Sequence, residues 1–197
     1  MGRARSFDES AVLDAVRDQF WASGYDGTST YDLMDVTNLG KGSLYHAYGS
    51  KRDLYMRVFA DYCDELVAAA HSALSSQETG SPRDRLERYL ATLAEIFGSR
   101  SPRRGCFLTN GTTDLADTDE GVAAVAREAF GRIALALAGA VKDAQAAGEV
   151  STDVDADSLG YVLLSVIRGM SCIAKADVPA STLTDIAHTT AALLPRP

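Results

Sequence analysis

The chain has 197 residues, of which 46% are hydrophobic and 23% charged, and its formal net charge is −8. This composition is ordinary for a globular protein in solution, and the longest uninterrupted stretch of apolar residues and glycine, residues 133–141, is far shorter than the roughly 20 residues that cross a bilayer. No apolar run follows the arginines near the N-terminus, so no secretory signal or membrane partner is indicated, and we expect a cytoplasmic protein.

The first helix is predicted at about residues 9–23. Asp8 is a residue type that caps helix N-termini, and apolar residues recur at every fourth position from Val12 to Phe20. Gly24 suits the left-handed turn that closes a helix. The spacing therefore predicts an amphipathic helix with one apolar face.

Two short helices are predicted next, at about residues 30–37 and 41–48. Ser29 and Asp32 have the spacing of a capping box, and Asn38 tolerates the left-handed conformation of a tight turn. Two short helices joined by a turn of about three residues match the helix-turn-helix motif, whose second helix enters the major groove of DNA.

The second of these helices has an apolar side and a polar side. At about 100° per residue, Leu44 falls on one side, and Gly42 and His46 fall on the other. Gly42 permits close approach of the backbone to DNA, and Gly40 leaves the amides of the helix N-terminus open to a phosphate. Residues 36–52 contain no carboxylate, which indicates a surface that meets phosphates.

The acidity of the chain lies mainly outside its first part. Residues 1–60 contain seven Lys or Arg and eight Asp or Glu, a net charge of −1, so the other 137 residues carry −7. Binding depends on the local field at the contact surface. The acidic total therefore leaves double-stranded DNA open as a partner.

Six further helices are predicted from caps and apolar periodicity, about nine in all. They are expected at about residues 51–75, 82–97, 106–116, 120–147, 156–176 and 180–194. The helix at 106–116 is the weakest prediction, because glycine and threonine dilute its apolar pattern. No alternating strand pattern with hairpin turns occurs, so the fold class is all-α.

Metal, cofactor and enzyme chemistry find no support in the pattern. Cys63, Cys106 and Cys172 form no CxxC pair, and the three histidines form no HExxH motif. We interpret the three thiols as buried and expect no metal site and no cofactor. No spaced set of nucleophile, base and orienting group is present, so we expect no enzymatic activity.

Residues 7–60 resemble the N-terminal domain of the tetracycline-repressor (TetR) family of transcriptional regulators. The matching positions are Phe20, Gly24, Tyr25, Thr28, Ser29, Leu33, Lys41, Gly42, Leu44, Tyr45, Tyr48, Ser50, Lys51 and Leu54. The resemblance implies an all-α homodimer that acts as a ligand-responsive regulator, first of all as a repressor of a palindromic operator. It also implies a three-helix helix-turn-helix domain at residues 1–50 and a larger ligand-binding and dimerisation domain at residues 51–197. The segment RRGCFLTN is similar to one that is common at the sixth helix of a broad subgroup.

The resemblance and the helical geometry indicate the same DNA-contacting residues. Expected are phosphate contacts from Thr28, Ser29, Tyr45 and Lys51, base contacts from Lys41, Ser43 and His46, close approach at Gly42, and minor-groove contacts from Arg3 and Arg5. The competing interpretation is an ordinary surface with a solvated lysine and histidine and a disordered basic arm. Gly40, His46 and Ala47 depart from the family pattern, so we expect the base preference of this chain to depend on them.

The larger domain is expected to bind a small-molecule effector between its helices four to eight. Candidate lining residues are Phe59, Tyr62, Cys63, Leu90, Leu93, Phe97, Phe107, Asn110, Phe130 and Met170. Helices eight and nine are expected to form the dimer interface, where Gly160 and Gly169 would permit close packing. The candidate interface residues are Leu159, Val162, Leu163, Val166, Ile167, Leu183, Ile186 and Leu193. For both sets, ordinary core packing is the competing interpretation.

Two alternative functions remain open at this point. Cys106 follows Arg103 and Arg104, whose positive charge favours a reactive thiolate, so the regulator would respond to oxidants or electrophiles. The other alternative is an adaptor that has the motif but does not bind DNA.

Overall fold

In a computed structural model of the chain, residues 8–75, 80–99 and 104–197 are described. These residues fold into nine α-helices and contain no strand, which confirms the predicted all-α class. The helices are α1 (Glu9–Gly27), α2 (Thr30–Thr37), α3 (Lys41–Tyr48), α4 (Lys51–Ser75), α5 (Pro82–Ser99), α6 (Phe107–Leu115), α7 (Glu120–Ala146), α8 (Ala156–Lys175) and α9 (Ala180–Ala192).

The helix boundaries follow from caps that the sequence already indicates. The Asp8 carboxylate accepts hydrogen bonds from the amides of Ser10 and Ala11 at the start of α1. Ser29 and Asp32 form the predicted capping box of α2. Gly24 interrupts α1 with a positive φ of 72°, a conformation that L side chains rarely adopt.

The larger part of the fold is a bundle in which α7 is central. α7 packs against α4 and α8, and α5 packs against α7 and α9. The first three helices join this bundle mainly through α1, which lies against α4 and α6, and α3 also contacts α4. Phe20 of α1, at 1% exposure, packs edge-on against Tyr55 of α4, so one core extends from the first helices into the bundle.

The most apolar long helix is α8, which is partly buried by the rest of the bundle. By length and composition alone it is the one described helix that is apolar enough to cross a membrane. Its Leu163, Ile167 and Met170 side chains are each at most 1% exposed within the fold. Core packing therefore accounts for the apolar residues on its inner face.

Candidate nucleic-acid interface and internal cavity

α3 presents an open polar face and is held by one buried anchor. Leu44 is fully buried, whereas Lys41, Gly42, Ser43 and His46 are exposed. Because these residues lie outside the core, their side chains remain available to a macromolecule.

The glycines at the start of α3 face open space. A Cβ atom at Gly40 or Gly42 would meet no other atom within 4 Å, so neither glycine is needed for packing inside this chain. No side chain caps α3, so no side-chain acceptor is bonded to the backbone amides of its first turn. At the other end Gly49 has a φ of 84° and stops the helix, as its position predicts.

A hydrogen bond joins α3 to the start of α2. The Tyr45 hydroxyl lies 2.7 Å from the Thr30 hydroxyl, and either group can donate. One hydroxyl proton of the pair is therefore left for an outside acceptor such as a phosphate. Thr30 is not among the residues predicted to contact DNA, although its place directly after the cap residue Ser29 is a usable signal.

Thr28 and Ser29 differ in their access to the surface. The Thr28 side chain is 0% exposed, and its hydroxyl donates to the Gly24 carbonyl at 2.7 Å. The predicted phosphate contact of Thr28 is therefore wrong for its side chain, which is buried and stabilises the turn after Gly24. Ser29 is exposed, and its Oγ accepts from the Asp32 amide, so its hydroxyl proton can still be donated.

Lys51 stands at the first position of α4, next to the end of α3. Its Nζ lies 4.3 Å from the centroid of the Tyr25 ring, in a cation–π contact that holds the ammonium group near α1. The side chain is partly exposed, and the phosphate contact stays a prediction. Arg3 and Arg5 of the predicted arm lie outside the described residues.

The segment before α6 is bonded directly to α1. The Trp21 indole N–H donates to the Arg104 carbonyl at 3.2 Å, and the Arg104 guanidinium pairs with Asp18 at 3.0 Å. The Trp21 ring also packs against Tyr62 of α4, with 5.1 Å between the ring centroids. α1 is therefore fastened to both α4 and the start of α6.

A second connection joins the starts of α4 and α7. The Arg52 guanidinium donates two hydrogen bonds to Asp119, at 2.6 and 2.7 Å. Asp119 also caps α7 by accepting from the amides of Gly121 and Val122. The Arg52 hydrogen bonds and these amides lower the pKa of Asp119 from its usual 3.8 to about 2.

A cavity of about 400 Å³, open to the surface on the side of Ala69, Arg88 and Ile96, lies between α4, α5, α7, α8 and the start of α6. This volume falls in the range of small-molecule sites. The lining residues are Tyr62, Leu66, Ala69, Ala73, Arg85, Arg88, Tyr89, Thr92, Leu93, Ile96, Phe97, Cys106, Ile133 and Arg168.

Three of the ten predicted lining residues, Tyr62, Leu93 and Phe97, line this cavity. Outside it lie Phe59, Cys63, Leu90, Phe107, Asn110, Phe130 and Met170. Most of these seven residues pack in the core, and Phe107 and Asn110 border a separate cleft beside Trp21. Apolar spacing identifies the inner face of a helix but does not separate a cavity wall from solid core.

The three cysteines differ in their surroundings. Cys106 precedes α6 and is 2% exposed, and its Sγ accepts from Arg168 at 3.1 Å and from the Tyr62 hydroxyl at 3.6 Å. Cys63 is buried as predicted, and burial raises the pKa of its thiol to about 12. Cys172 is exposed, so its predicted burial is wrong, because it lies on the outer side of α8.

α8 and α9 have apolar side chains on both their inner and outer faces. Leu163, Ile167 and Leu183 are at most 1% exposed within the chain, so their predicted place in a dimer interface is wrong. Gly160 also packs internally, since a Cβ there would lie 2.7 Å from the Ala134 carbonyl oxygen. The outer faces carry side chains that remain partly or largely exposed, namely Leu159, Val162, Val166, Ile186 and Leu193.

Comparison with known proteins gives matches along nearly the whole chain. The model of the bacterial regulatory proteins of the tetR family matches residues 12–58, and that of the tetracyclin repressor-like C-terminal domain matches residues 82–189. The HTH-type transcriptional repressor ComR of Escherichia coli (strain K12) is 32% identical over 98% of this chain and 92% of its own length.

A similar solved structure is a cysteine mutant of the TetR family transcriptional regulator CifR, complexed with a 26-base-pair double-strand operator DNA. It is 26% identical and has a TM-score of 0.85, with 98% of this chain and all of that chain covered.

Proposed function

The chain belongs to the TetR family of bacterial regulatory proteins, and from that premise we propose that it is a ligand-responsive transcriptional repressor. It acts in the cytoplasm as a homodimer on a palindromic double-stranded operator, and a small molecule in the larger domain releases it. The proposal has three parts: the DNA surface, the dimer and the link between the cavity and the DNA surface.

The observation that carries the proposal is the exposed, carboxylate-free face of α3. Lys41, Ser43 and His46 extend from it, and the open space at Gly42 lets a base edge or phosphate approach the backbone. Ser29, the Tyr45–Thr30 hydroxyl pair and Lys51 flank this face with donors for phosphates. The operator complex of CifR supports the same assignment through a similar fold.

The homodimer is the second part of the proposal. Val162 on the outer face of α8 is 55% exposed and Leu193, directly after α9, is 75% exposed, while a Cβ at Gly169 of α8 would meet nothing within 4 Å. A second copy would cover these apolar groups. Two recognition helices would then be held one helical turn of DNA apart, about 34–36 Å, as a palindromic operator requires.

The third part is the route from the cavity to the DNA surface. Tyr62 lines the cavity and packs against Trp21 of α1, and the neighbouring Arg104 carbonyl accepts the Trp21 indole hydrogen bond. A ligand that displaces Tyr62 or the start of α6 therefore moves α1 and, with it, the spacing of the recognition helices. By thermodynamic reciprocity the same ligand binds less tightly to the DNA-bound form.

The deciding experiment measures binding of the purified protein to duplexes from the DNA that flanks its own gene. We expect specific binding to one palindromic duplex, weakening steeply with salt. Selection from random duplexes with the His46→Ala protein should return altered base preferences at one position per half-site. If the protein bound no flanking or selected duplex specifically, the repressor proposal would be wrong and the adaptor alternative would replace it.

A thiol-based response is a second candidate, favoured by one contact. The Arg168 guanidinium donates a hydrogen bond to the Cys106 sulfur at 3.1 Å, and Cys106 is the one cysteine among the described residues that line the cavity. An oxidised Cys106 would disturb the same start of α6 that carries the Arg104 contact to Trp21. A Cys106→Ser protein that still loses its operator on treatment with hydrogen peroxide would exclude this candidate.

A further inference from the structure

The cavity is unusual for this chain because the charged groups among its described lining residues are all positive. The sequence has 27 acidic and 19 basic residues, yet Arg85, Arg88 and Arg168 line the cavity without any Asp or Glu among the lining residues. Guanidinium groups in a mainly apolar wall generate a positive potential inside the cavity. The cavity is therefore suited to an anion.

Arg85 is the most deeply buried of these cations. Its side chain is 8% exposed, and one terminal nitrogen pairs with Asp143 at 3.0 Å. Its Nε is buried and has no hydrogen-bond partner among the described residues. Buried polar groups are nearly always hydrogen-bonded, so this guanidinium retains donor capacity that its contacts among the described residues leave unused.

Arg168 of α8 is a second arginine of the cavity wall that has unused hydrogen-bond donor capacity. Its terminal nitrogen donates to the Cys106 sulfur, which is a weak acceptor, and its buried Nε also lacks a partner among the described residues. A guanidinium fork matches the two oxygens of a carboxylate and binds them more strongly than it binds a thiol.

The other lining residues favour a ligand that is mainly apolar and has few polar groups besides its anionic group. Leu66, Leu93, Ile96 and Phe97 line the cavity. Burial raises the pKa of the Tyr89 hydroxyl above its usual value, so Tyr89 stays protonated and can donate a hydrogen bond to an anion.

We propose that the cavity binds an amphipathic organic monocarboxylate, whose carboxylate accepts hydrogen bonds from Arg168 and Arg85 while its apolar part lies against Leu93 and Phe97. This ligand class is the effector class of the repressor proposed above, and its regulatory role rests on that function. Binding replaces the Arg168–Cys106 contact, which loosens the start of α6 next to its bonds with α1.

The test compares ligands that differ only in charge. Isothermal titration of the protein alone would use octanoate and phenylbutanoate beside their amides and the corresponding amines. We expect each carboxylate to bind at least tenfold more tightly than its amide, and the amines to bind least, because the described lining residues include three arginines and no Asp or Glu.

Variants locate the site of the preference. Arg168→Gln should remove most of the carboxylate-over-amide preference, and Arg168→Lys should keep part of it because the charge remains. Arg127→Gln is the matched control, since Arg127 is an exposed arginine of α7 outside the cavity. Circular dichroism of each variant would verify that the helices are intact.

Several outcomes would overturn the proposal. Amides or amines that bind as tightly as the acids would do so, and so would a series in which no acid binds or an Arg168→Gln protein with unchanged preference. The titration contains no DNA, so its result does not depend on operator binding. A protein that binds no operator would contradict the repressor function but not the proposed ligand class. Carboxylates that bind without weakening operator affinity would remove the effector role.

Discussion

The indole N–H of Trp21 donates to the main-chain carbonyl of Arg104 across 3.2 Å. This hydrogen bond joins α1 to the segment that begins α6, and Cys106 of the same segment lines the cavity. The same carbonyl also accepts from the Asn110 side chain at 2.8 Å. The bond is therefore positioned to transmit a change in the cavity to the DNA-binding helices.

Replacing Trp21 with phenylalanine should separate stability from signalling. Trp21→Phe keeps a ring against Tyr62 but removes the hydrogen bond, so we expect the free energy of unfolding in urea to fall by about 1 kcal/mol. Asn110 still satisfies the Arg104 carbonyl, which limits the loss. The weakening of operator affinity by octanoate should shrink in the same variant. An unchanged octanoate response would show that the Trp21 bond does not transmit the signal.

Replacing Lys51 with alanine should weaken DNA binding without changing base preference. A lost phosphate contact lowers affinity about equally on all duplexes and flattens the slope of log affinity against log salt by about one unit. The lost cation–π contact with Tyr25 should cost about 0.5–1 kcal/mol of stability. Lys142→Ala is the control, because Lys142 pairs with Asp157 near the far end of α7. An unchanged salt slope in the Lys51→Ala protein would remove the phosphate assignment.

The helix boundaries were predictable because caps act over a few residues. Ser29 with Asp32 and Ser50 with Asp53 form reciprocal hydrogen bonds that depend only on their spacing, and the stop at Gly49 depends on one positive φ. The polar face of α3 followed from helical geometry for the same reason. These features need no knowledge of distant contacts.

The cavity and its charge were not predictable, because both depend on distant packing. Arg85, Arg88 and Arg168 have the sequence pattern of solvated helix faces, and only the packing of α5 and α8 brings them to one cavity. Thr28 likewise has the sequence position of a surface residue, but the turn at Gly24 buries it. Local pattern gives the side of a helix that faces inward but not the shape of the space it faces.

Gly111 shows how distant packing reverses a local expectation. Glycine in α6 weakens the helix prediction, yet a Cβ at this position would lie 2.5 Å from the Tyr55 hydroxyl and 2.6 Å from a ring carbon of Phe59. Gly111→Ala should therefore lower the free energy of unfolding by about 1–3 kcal/mol through overpacking of α6 on α4. The measurement is urea unfolding followed by circular dichroism.

The matched control for that prediction is Gly131→Ala in α7. A Cβ there meets nothing within 4 Å, so the higher helix propensity of alanine should leave stability unchanged or raise it by up to about 1 kcal/mol. Equal effects of the two substitutions would contradict the close packing at Gly111.

The Arg52–Asp119 pair should give the stability a dependence on acid pH. Asp119 has a pKa of about 2 in the folded chain against a usual 3.8, so the folded state favours its ionised form. The resulting stabilisation is fully present above about pH 4 and is lost as the pH falls towards 2. Asp119→Asn keeps a capping oxygen but loses the charge.

The difference in unfolding free energy between wild type and Asp119→Asn measures this contribution. It should be constant from pH 5 to 7 and shrink as the pH falls from about 4 to 2, while the titration of other carboxylates cancels between the two proteins. A difference that stayed constant down to pH 2 would show that the ion pair does not stabilise the fold.

The outer face of α8 should hold the two subunits together. Val162 is 55% exposed in the single chain, and a charge placed there would be desolvated without a partner in a dimer. We expect the wild-type protein to have twice the 20.9 kDa mass of the chain in light scattering, about 42 kDa, and Val162→Asp to have the mass of one chain. Leu135→Asp is the control, because Leu135 is 67% exposed on α7 and borders α4 rather than α8 or α9. A monomeric wild type, or a dimer that Leu135→Asp dissolves and Val162→Asp does not, would move the interface to another face.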